Sequence, residues 1–176
     1  MTSFKNLQLP DFIIADIYKN DLVAWNKEKK VEEKKSVEPV ENKKWFLGEN
    51  QKNIVIVLQD ETAVFLRDEW LQFLSNILAA CHLNIGDVSI VNLTNHPATY
   101  KEIISRLQPK YFILFDIDLQ RFQLPFIIPN YHLQQYNQSQ LLLCASLQQM
   151  DGNSQEAKLE KSKLWVSLKK MFDIKN

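Results

Sequence analysis

The chain has 176 residues, 45% of them hydrophobic and 11% aromatic, which suits one domain with a sizeable core. Its 21 basic and 21 acidic residues give a formal net charge of zero, which argues against a protein held on DNA or RNA by bulk electrostatics. The three glycines, Gly48, Gly86 and Gly152, lie too far apart to build a dinucleotide loop, a phosphate loop or a nucleophile elbow.

The cysteines and the lengths of the apolar runs indicate the cellular compartment of the protein. Cys81 and Cys144 each lie in an apolar run, and no C-x-x-C pair indicates a zinc or redox site. Residues 1–10 lack the continuous apolar region of a signal peptide, and no apolar run reaches the roughly 18 residues of a membrane span. We therefore expect a cytoplasmic protein with two reduced thiols and no membrane contact.

The first predicted element is an amphipathic arm over residues 1–25. Pro10 suits the first turn of a helix and Asp11 suits its positive end, and the apolar side chains that follow fall roughly on one face. A helix this short must dock on something. The residues expected to bind a partner protein are Phe12, Ile13, Ile17, Tyr18 and Leu22. The alternative is an arm that packs on the core of its own chain.

Residues 26–44 form a charged segment with seven lysines and five glutamates. Such a stretch buries too little apolar surface to offset its ordering entropy, so it reads as a solvated linker. A polar helix is the alternative, because Lys and Glu are good helix formers.

Residues 45–176 are predicted to form an α/β domain. Four continuously apolar runs are typical of strands buried on both faces: 53–58, 88–93, 111–117 and 140–145. Helical spacing predicts helices over 66–81 and 99–107, the second beginning at the capping box of Thr99 and Glu102. Residues 122–137, with two prolines, read as a loop or an irregular hairpin on one edge of the sheet.

A last helix is predicted after Asn153 and Glu156, which offer a second capping pair. Its buried face is expected to contain Leu164, Trp165, Leu168, Met171 and Phe172. The order of elements implies a mostly parallel, four-stranded central sheet between two helical layers, a three-layer α/β/α arrangement.

Ligands of open α/β sheets bind beyond the carboxyl ends of the strands, so the residues that follow each strand are the candidates for chemistry. Asp60, His96 and Asp116 would together supply a base and the group that orients it. Asp60, Asp116 and Asp118 could instead hold a divalent cation. The competing interpretation is that these are ordinary turn formers and helix caps, with no catalytic residue, metal or cofactor.

Nucleic-acid binding requires basic residues interleaved with accessible aromatics. The nearest candidates are Lys110-Tyr111-Phe112 and Arg121-Phe122, but their aromatics are expected in the core. Direct binding to nucleic acid should therefore be weak at most.

Residues 54–172 resemble the uracil-DNA-glycosylase-like α/β fold. More narrowly, they resemble its catalytically silent branch, the psi subunits of the bacterial DNA polymerase III clamp loader. The resemblance rests on IVIVLQD, LRDEWLQFLSNILAACHL, NIGDVSIVNL, YKEIISRLQPKYFILFD and the ending LLLCASLQQMDGNSQEAKLEKSKLWVSLKKMF. Ser146-Leu147, then Lys161 or Lys163 and a buried Trp165, fit the turn and lysine-bearing helix that close this fold.

Two departures from the active glycosylases accompany the resemblance. The segment LQDETAVF after the first strand lacks the glycines and prolines of their loop, and Cys144-Ala145-Ser146-Leu147 lacks their histidine. The base-flipping chemistry of these enzymes needs a shaped pocket and such groups. The resemblance thus implies a pseudoenzyme: a non-enzymatic adaptor of the replication machinery that docks clamp-loader subunits through its N-terminal arm. The enzyme, a divergent glycosylase or hydrolase using Asp60, His96 and Asp116, stays as the alternative.

Overall fold

The computed structural model describes residues 44–174. The predicted arm over residues 1–25, with Phe12, Ile13, Ile17, Tyr18 and Leu22, lies outside the described residues, as does the linker up to residue 43. The α/β class predicted for the remainder is confirmed.

Within residues 44–174 the chain forms six strands and three α-helices. The strands are β1 (Leu47–Gly48), β2 (Ile54–Leu58), β3 (Val88–Asn92), β4 (Tyr111–Phe115), β5 (Leu133–Tyr136) and β6 (Ser139–Cys144). The helices are α1 (Asp68–Ala80), α2 (Tyr100–Leu107) and α3 (Gln155–Met171), and a short 3₁₀ helix, Ile85–Asp87, precedes β3.

The strands form one mixed sheet in the order β1-β3-β2-β4-β6-β5. The four strands expected from the sequence are neighbours and pair in parallel. The expectation of four strands in all was wrong, because β1 and β5 add an antiparallel strand at each edge. The parallel core brings the carboxyl ends of β2, β3, β4 and β6 to the same edge of the sheet.

The core lies on both faces of this sheet, because alternate residues of each buried strand point to opposite sides. Ile54, Ile56 and Leu58 pack on one side with the apolar faces of α1 and α3. Val55 and Val57 pack on the other side with α2 and the segment after β4. Helices therefore cover both faces, which is why the strands read as continuous apolar runs.

The helix boundaries follow from their caps. Thr99 begins α2 with the predicted capping box, in which its Oγ1 accepts from the Glu102 N–H and the Glu102 carboxylate accepts from the Thr99 N–H. The cap predicted for α3 was wrong by one residue. Ser154, not Asn153, accepts the N–H of Ala157, at 3.0 Å. Trp165 and Phe172 are only partly buried, whereas Leu164, Leu168 and Met171 are buried as expected.

The two edge strands depend on special backbone conformations. Gly48 in β1 has φ +102°, and a Cβ there would collide with the carbonyl oxygen of Val88. At the other edge, Asn137 and Gln138 join β5 to β6 as a two-residue turn with φ 46° and 66°. Two positive φ values are typical of the type I′ turn that best matches the twist of a hairpin.

Candidate functional site

A cavity of about 390 Å³ lies at the carboxyl edge of the sheet. The segment after β2 forms one wall, with Gln59, Asp60, Arg67 and Trp70. The segments after β4 and β6 form the rest, and their lining residues include Phe115, Asp116, Ser146 and Gln148. The structure thus brings Asp60 and Asp116 to one cavity, as expected for residues that follow neighbouring parallel strands.

The carboxylate of Asp60 is fully engaged in hydrogen bonds within its own loop. Oδ1 accepts the Thr62 N–H and hydroxyl at 2.9 and 2.6 Å, and the Arg67 Nη2 at 3.1 Å. Oδ2 accepts the main-chain N–H and the Nε–H of Arg67, at 3.0 and 3.2 Å. The Asp60 side chain has no exposed surface, while that of Arg67 is 37% exposed.

These bonds fix the charge of Asp60. Burial on its own would raise the pKa of this carboxyl, but the hydrogen bonds from Arg67 and Thr62 outweigh burial and hold the pKa well below its usual range. A carboxylate of such low basicity, with both oxygens committed, is a poor proton acceptor at neutral pH. Its evident role is to hold the loop between β2 and α1.

Asn92 at the end of β3 braces the same loop. It is fully buried, and its Nδ2 donates to the carbonyls of Asp60 and Ala63 at 2.7 and 3.1 Å. Its Oδ1 accepts the N–H groups of Asp60 and Thr94 at 3.0 and 3.1 Å. Asn92 lies within the apolar run 88–93 from which a strand was predicted, and sequence reasoning missed its role; the available signal was an amide near the end of that run.

Arg67 and Trp70 complete this wall of the cavity. The guanidinium carbon of Arg67 lies 3.9 Å from the centroid of the Trp70 ring, a cation–π contact. The Trp70 Nε1 is buried and has no hydrogen-bond partner among residues 44–174. Sequence reasoning did not single out either residue, because their role depends on the fold of the loop that precedes them.

The remaining acidic candidates are separated. Asp116, at φ 51°, lines the cavity beside Asp60, and its carboxylate has no hydrogen bond within the described range. Asp118 instead borders a second cavity of about 350 Å³, where it accepts the N–H of Gln120 and pairs with Arg121. In residues 44–174 no three His, Cys, Asp or Glu side chains gather as a metal site, so Asp60, Asp116 and Asp118 do not form the cation site considered above.

His96 lies apart from the carboxylates that it was expected to join. Its ring stacks on Phe65, with centroids 6.1 Å apart, and it does not line the cavity of Asp60 and Asp116. The structure therefore brings together two members of the Asp60, His96 and Asp116 set, and leaves the third against an aromatic side chain.

The end of β6 is closed by contacts from neighbouring elements. The Tyr131 hydroxyl donates to the Glu160 carboxylate of α3 and accepts the N–H of Ala145 at 3.3 Å. Glu160 also pairs with Lys163 at 2.7 Å. Cys144, the last residue of β6, is buried, and its burial raises the pKa of the thiol, so it is not a ready nucleophile.

The aromatics considered for nucleic-acid contact belong to the core. Phe112 and Phe122 are buried on the α2 side of the sheet, and Tyr111 packs against Phe172 of the α3 side. They cannot stack on bases in this conformation. None of the helices in residues 44–174 is both long and apolar enough to span a bilayer.

No family model matches the chain, and no curated protein matches it.

Proposed function

We propose that this chain is a non-enzymatic adaptor of the DNA replication machinery, similar to the psi subunits of bacterial clamp loaders, with a uracil-DNA-glycosylase-like three-layer fold. One observation carries the non-enzymatic part of this proposal. The Asp60 carboxylate occupies the position after the first central strand where a catalytic acid or base would lie, and its five hydrogen bonds go to Thr62 and Arg67.

The surroundings of Asp60 support the same reading. Its depressed pKa disfavours proton uptake, and His96, the partner that would complete a base, stacks on Phe65 instead. At the end of β6 the chain presents Ala145 and Ser146 where active glycosylases of the resembled fold carry a histidine. Chemistry of the glycosylase type would thus have to proceed without its usual groups.

The proposed fold is supported by the arrangement of helices. The parallel order β3-β2-β4-β6 with α1 and α3 on one face and α2 on the other agrees with a layered α/β/α domain. The docking element of the proposal is the arm over residues 1–25, tethered by residues 26–44. A tether keeps a short peptide at high effective concentration near its target.

The test is affinity capture from native lysate with three tagged full-length proteins. Wild type should recover clamp-loader subunits. A variant with Ile13→Asp and Ile17→Asp should lose them, because both substitutions put charge on the apolar face. Lys19→Asp is the matched control: it changes the net charge by the same two units on the opposite face of the predicted helix, and it should retain the partners. Absence of clamp-loader subunits from every sample would contradict the proposal.

The arm variants also test whether the arm belongs to the core. If it packs on its own domain, Ile13→Asp with Ile17→Asp should lower the melting temperature by several degrees. A docking peptide predicts a change within about one degree, since surface substitutions usually alter stability by less than about 0.5 kcal/mol.

A divergent glycosylase or hydrolase is the second candidate, and one observation favours it: the Asp116 carboxylate faces the 390 Å³ cavity without a hydrogen bond in the described chain. Under this alternative, wild type should release uracil from a uracil-containing oligonucleotide and Asp116→Asn should not. The adaptor proposal predicts no release by either protein.

A further inference from the structure

A groove of about 570 Å³ runs between α3 and the start of β5, and none of its lining residues lines the Asp60 cavity. Tyr131, His132 and Leu133 line it from the strand side. Lys163, Val166 and Lys170 line it from the helix. Val166 is 47% exposed although it is a large apolar residue, so the groove combines uncovered apolar surface with positive charge.

The strand side of this groove is the outer edge of the sheet formed by the described residues. β5 is the last strand in the sheet and pairs only with β6 within residues 44–174. Its register pairs Leu133 with Leu142, Gln135 with Gln140 and Tyr136 with Ser139, across the two-residue turn. In such a hairpin the pair next to the turn is hydrogen-bonded and the pairs alternate, so the main-chain groups of Leu133 and Gln135 point outward. An outward row of main-chain donors and acceptors is a template for a further strand.

The helix side of the groove is positively charged. α3 carries five lysines against two glutamates. Lys163 pairs with Glu160, whose carboxylate also accepts the Tyr131 hydroxyl, and Lys170 is exposed one turn after Val166. The acidic residue in direct contact with the groove lining is Glu160, and the exposed Asp173 lies beside Val166 and Lys170 in the adjoining pocket. Positive charge thus flanks the apolar floor next to the outer strand edge.

We propose that this groove binds an extended acidic peptide as an added strand along β5, with an apolar residue flanked by two acidic residues at alternate positions (acidic-x-apolar-x-acidic), so that all three side chains lie on the face toward α3. Its main chain would pair with Leu133 and Gln135, its central apolar side chain would pack on Val166, and the carboxylates two residues before and after it would meet Lys163 and Lys170. Strand addition obtains affinity from main-chain hydrogen bonds and specificity from alternate side chains. The site belongs to the folded domain and does not depend on the arm or on the proposed replication role.

Two other occupants fit the groove less well. A second copy of the chain, paired edge to edge, would bring like-charged lysines of two α3 helices together. A nucleic acid would find two lysines, but the tyrosine ring that lines the groove, Tyr131, already has the Lys163 ammonium over its face, 5.8 Å from the centroid.

The experiment measures fluorescence anisotropy of the full-length protein with a labelled eight-residue peptide in which aspartate, isoleucine and aspartate occupy alternate positions and threonine or serine lies between them. Lys163→Glu with Lys170→Glu should weaken binding at least tenfold. Lys101→Glu with Lys110→Glu, which makes the same charge change at exposed positions outside the groove, should change it less than twofold. A counterpart peptide with lysine in place of aspartate that binds as well as the acidic one would overturn the proposal.

A second pair of measurements tests strand addition itself. Gln135→Pro removes an outward N–H without touching the β5–β6 ladder, and should weaken peptide binding at least tenfold while the melting temperature changes little. Should this variant unfold, the same loss is expected for wild-type protein with a peptide N-methylated at alternate amides. Unchanged binding of the methylated peptide would overturn the proposal. Two other outcomes would also overturn it. One is a twelve-nucleotide oligo(dT) that binds more tightly than the peptide and loses its binding in the Lys163→Glu, Lys170→Glu variant. The other is a dimer of the wild-type protein that dissociates in the Gln135→Pro variant.

Discussion

At the scale of single residues, the Asp60 carboxylate allows the sharpest test of its structural role. Asp60→Asn keeps the shape of the side chain but removes its charge and turns one oxygen into a donor that faces the N–H groups of Thr62 or Arg67. We expect the free energy of unfolding to fall by about 2 to 3 kcal/mol, in the range for losing charge-assisted hydrogen bonds at a site partly open to solvent. Urea denaturation measures it, and Glu61→Gln, an exposed neighbour, should cost less than about 0.5 kcal/mol.

The same carboxylate predicts how stability depends on pH. Because the folded pKa of Asp60 lies below its ordinary value of 3.8, its contribution is present above that value and is lost as the pH falls toward the folded pKa. The difference in unfolding free energy between wild type and Asp60→Asn should therefore be constant above about pH 5 and shrink below about pH 4. A difference that grows on acidification would contradict the depressed pKa.

The role of Asp60 shows where sequence reasoning about residues ends. Its position after β2 could be predicted from the apolar run that precedes it. Its engagement could not, because Arg67 lies seven residues further along an irregular loop and no periodicity relates the two. His96 shows the converse: it follows β3 as expected, but its stacking on Phe65 depends on the path of another loop.

At the scale of elements, the start of α3 distinguishes two neighbouring caps. The Ser154 hydroxyl accepts the Ala157 N–H, whereas Asn153 is exposed and makes no such bond in the described chain. Ser154→Ala should lower the free energy of unfolding by about 1 kcal/mol. Asn153→Ala should lower it by less than about 0.5 kcal/mol, and thermal unfolding of the two variants compares them. The reverse order would show that Asn153 caps the helix.

The hairpin of β5 and β6 offers a stabilising substitution. Gln138 has φ 66° in the second turn position, where glycine is preferred because it has no Cβ. Gln138→Gly should raise the free energy of unfolding by about 0.5 to 1 kcal/mol. Gln134→Gly is the control, since Gln134 lies inside the strand, and it should lower stability. Chemical denaturation of both variants measures the two effects, and a loss of stability in Gln138→Gly would contradict the turn assignment.

Elements with a strong period could be predicted from the sequence, and elements without one could not. The apolar run Ile54–Leu58 is enough to predict a strand, and the spacing of Trp70, Leu74 and Leu78 is enough to predict a helix. β1 has two residues and depends on Gly48 fitting against Val88. β5 mixes two glutamines with Leu133 and Tyr136, a pattern that an edge strand shares with a loop.

At the scale of the whole molecule, the reaction rates of the two cysteine thiols measure how often the folded domain unfolds globally. Cys81 and Cys144 are both buried on the side of the sheet that α1 and α3 cover, and burial raises the pKa of Cys81 to about 11. At pH 8 roughly one Cys81 thiol in a thousand would be ionised even where reagent could reach it. Reaction with a disulfide reagent should therefore be slow in the folded protein and fast in denaturant.

Single-cysteine variants separate the two positions. Cys81→Ser leaves Cys144, which is 1% exposed at the end of β6 and should react at the rate of global unfolding. Cys144→Ser leaves Cys81, which follows the end of α1 and should react sooner through fraying of the helix. Equal rates in native buffer, both well above the unfolding rate, would contradict the packing described.

The architecture could be predicted only as far as local patterns determine it. Four apolar runs, the first three separated by helices, imply a parallel sheet covered on both faces, and the parallel pairing β3-β2-β4-β6 agrees. Strand order depends on which runs find each other across the fold, and the antiparallel edges depend on turns such as Asn137-Gln138. Neither the strand order nor these turns produce a periodic pattern of apolar residues in the sequence.

The bonding of Asp60 within its loop sets a condition for any attempt to engineer catalysis at the carboxyl edge of the sheet. A carboxylate freed to take a proton must release Thr62 and Arg67, and those donors then need new partners. A designer would have to begin by re-anchoring the segment between β2 and α1, for example through the Asn92 amide, before changing any group that meets a substrate. A higher proton affinity at position 60 and an ordered segment both require the same two carboxylate oxygens. Until another group anchors the segment, raising the proton affinity would therefore reduce the order of the segment.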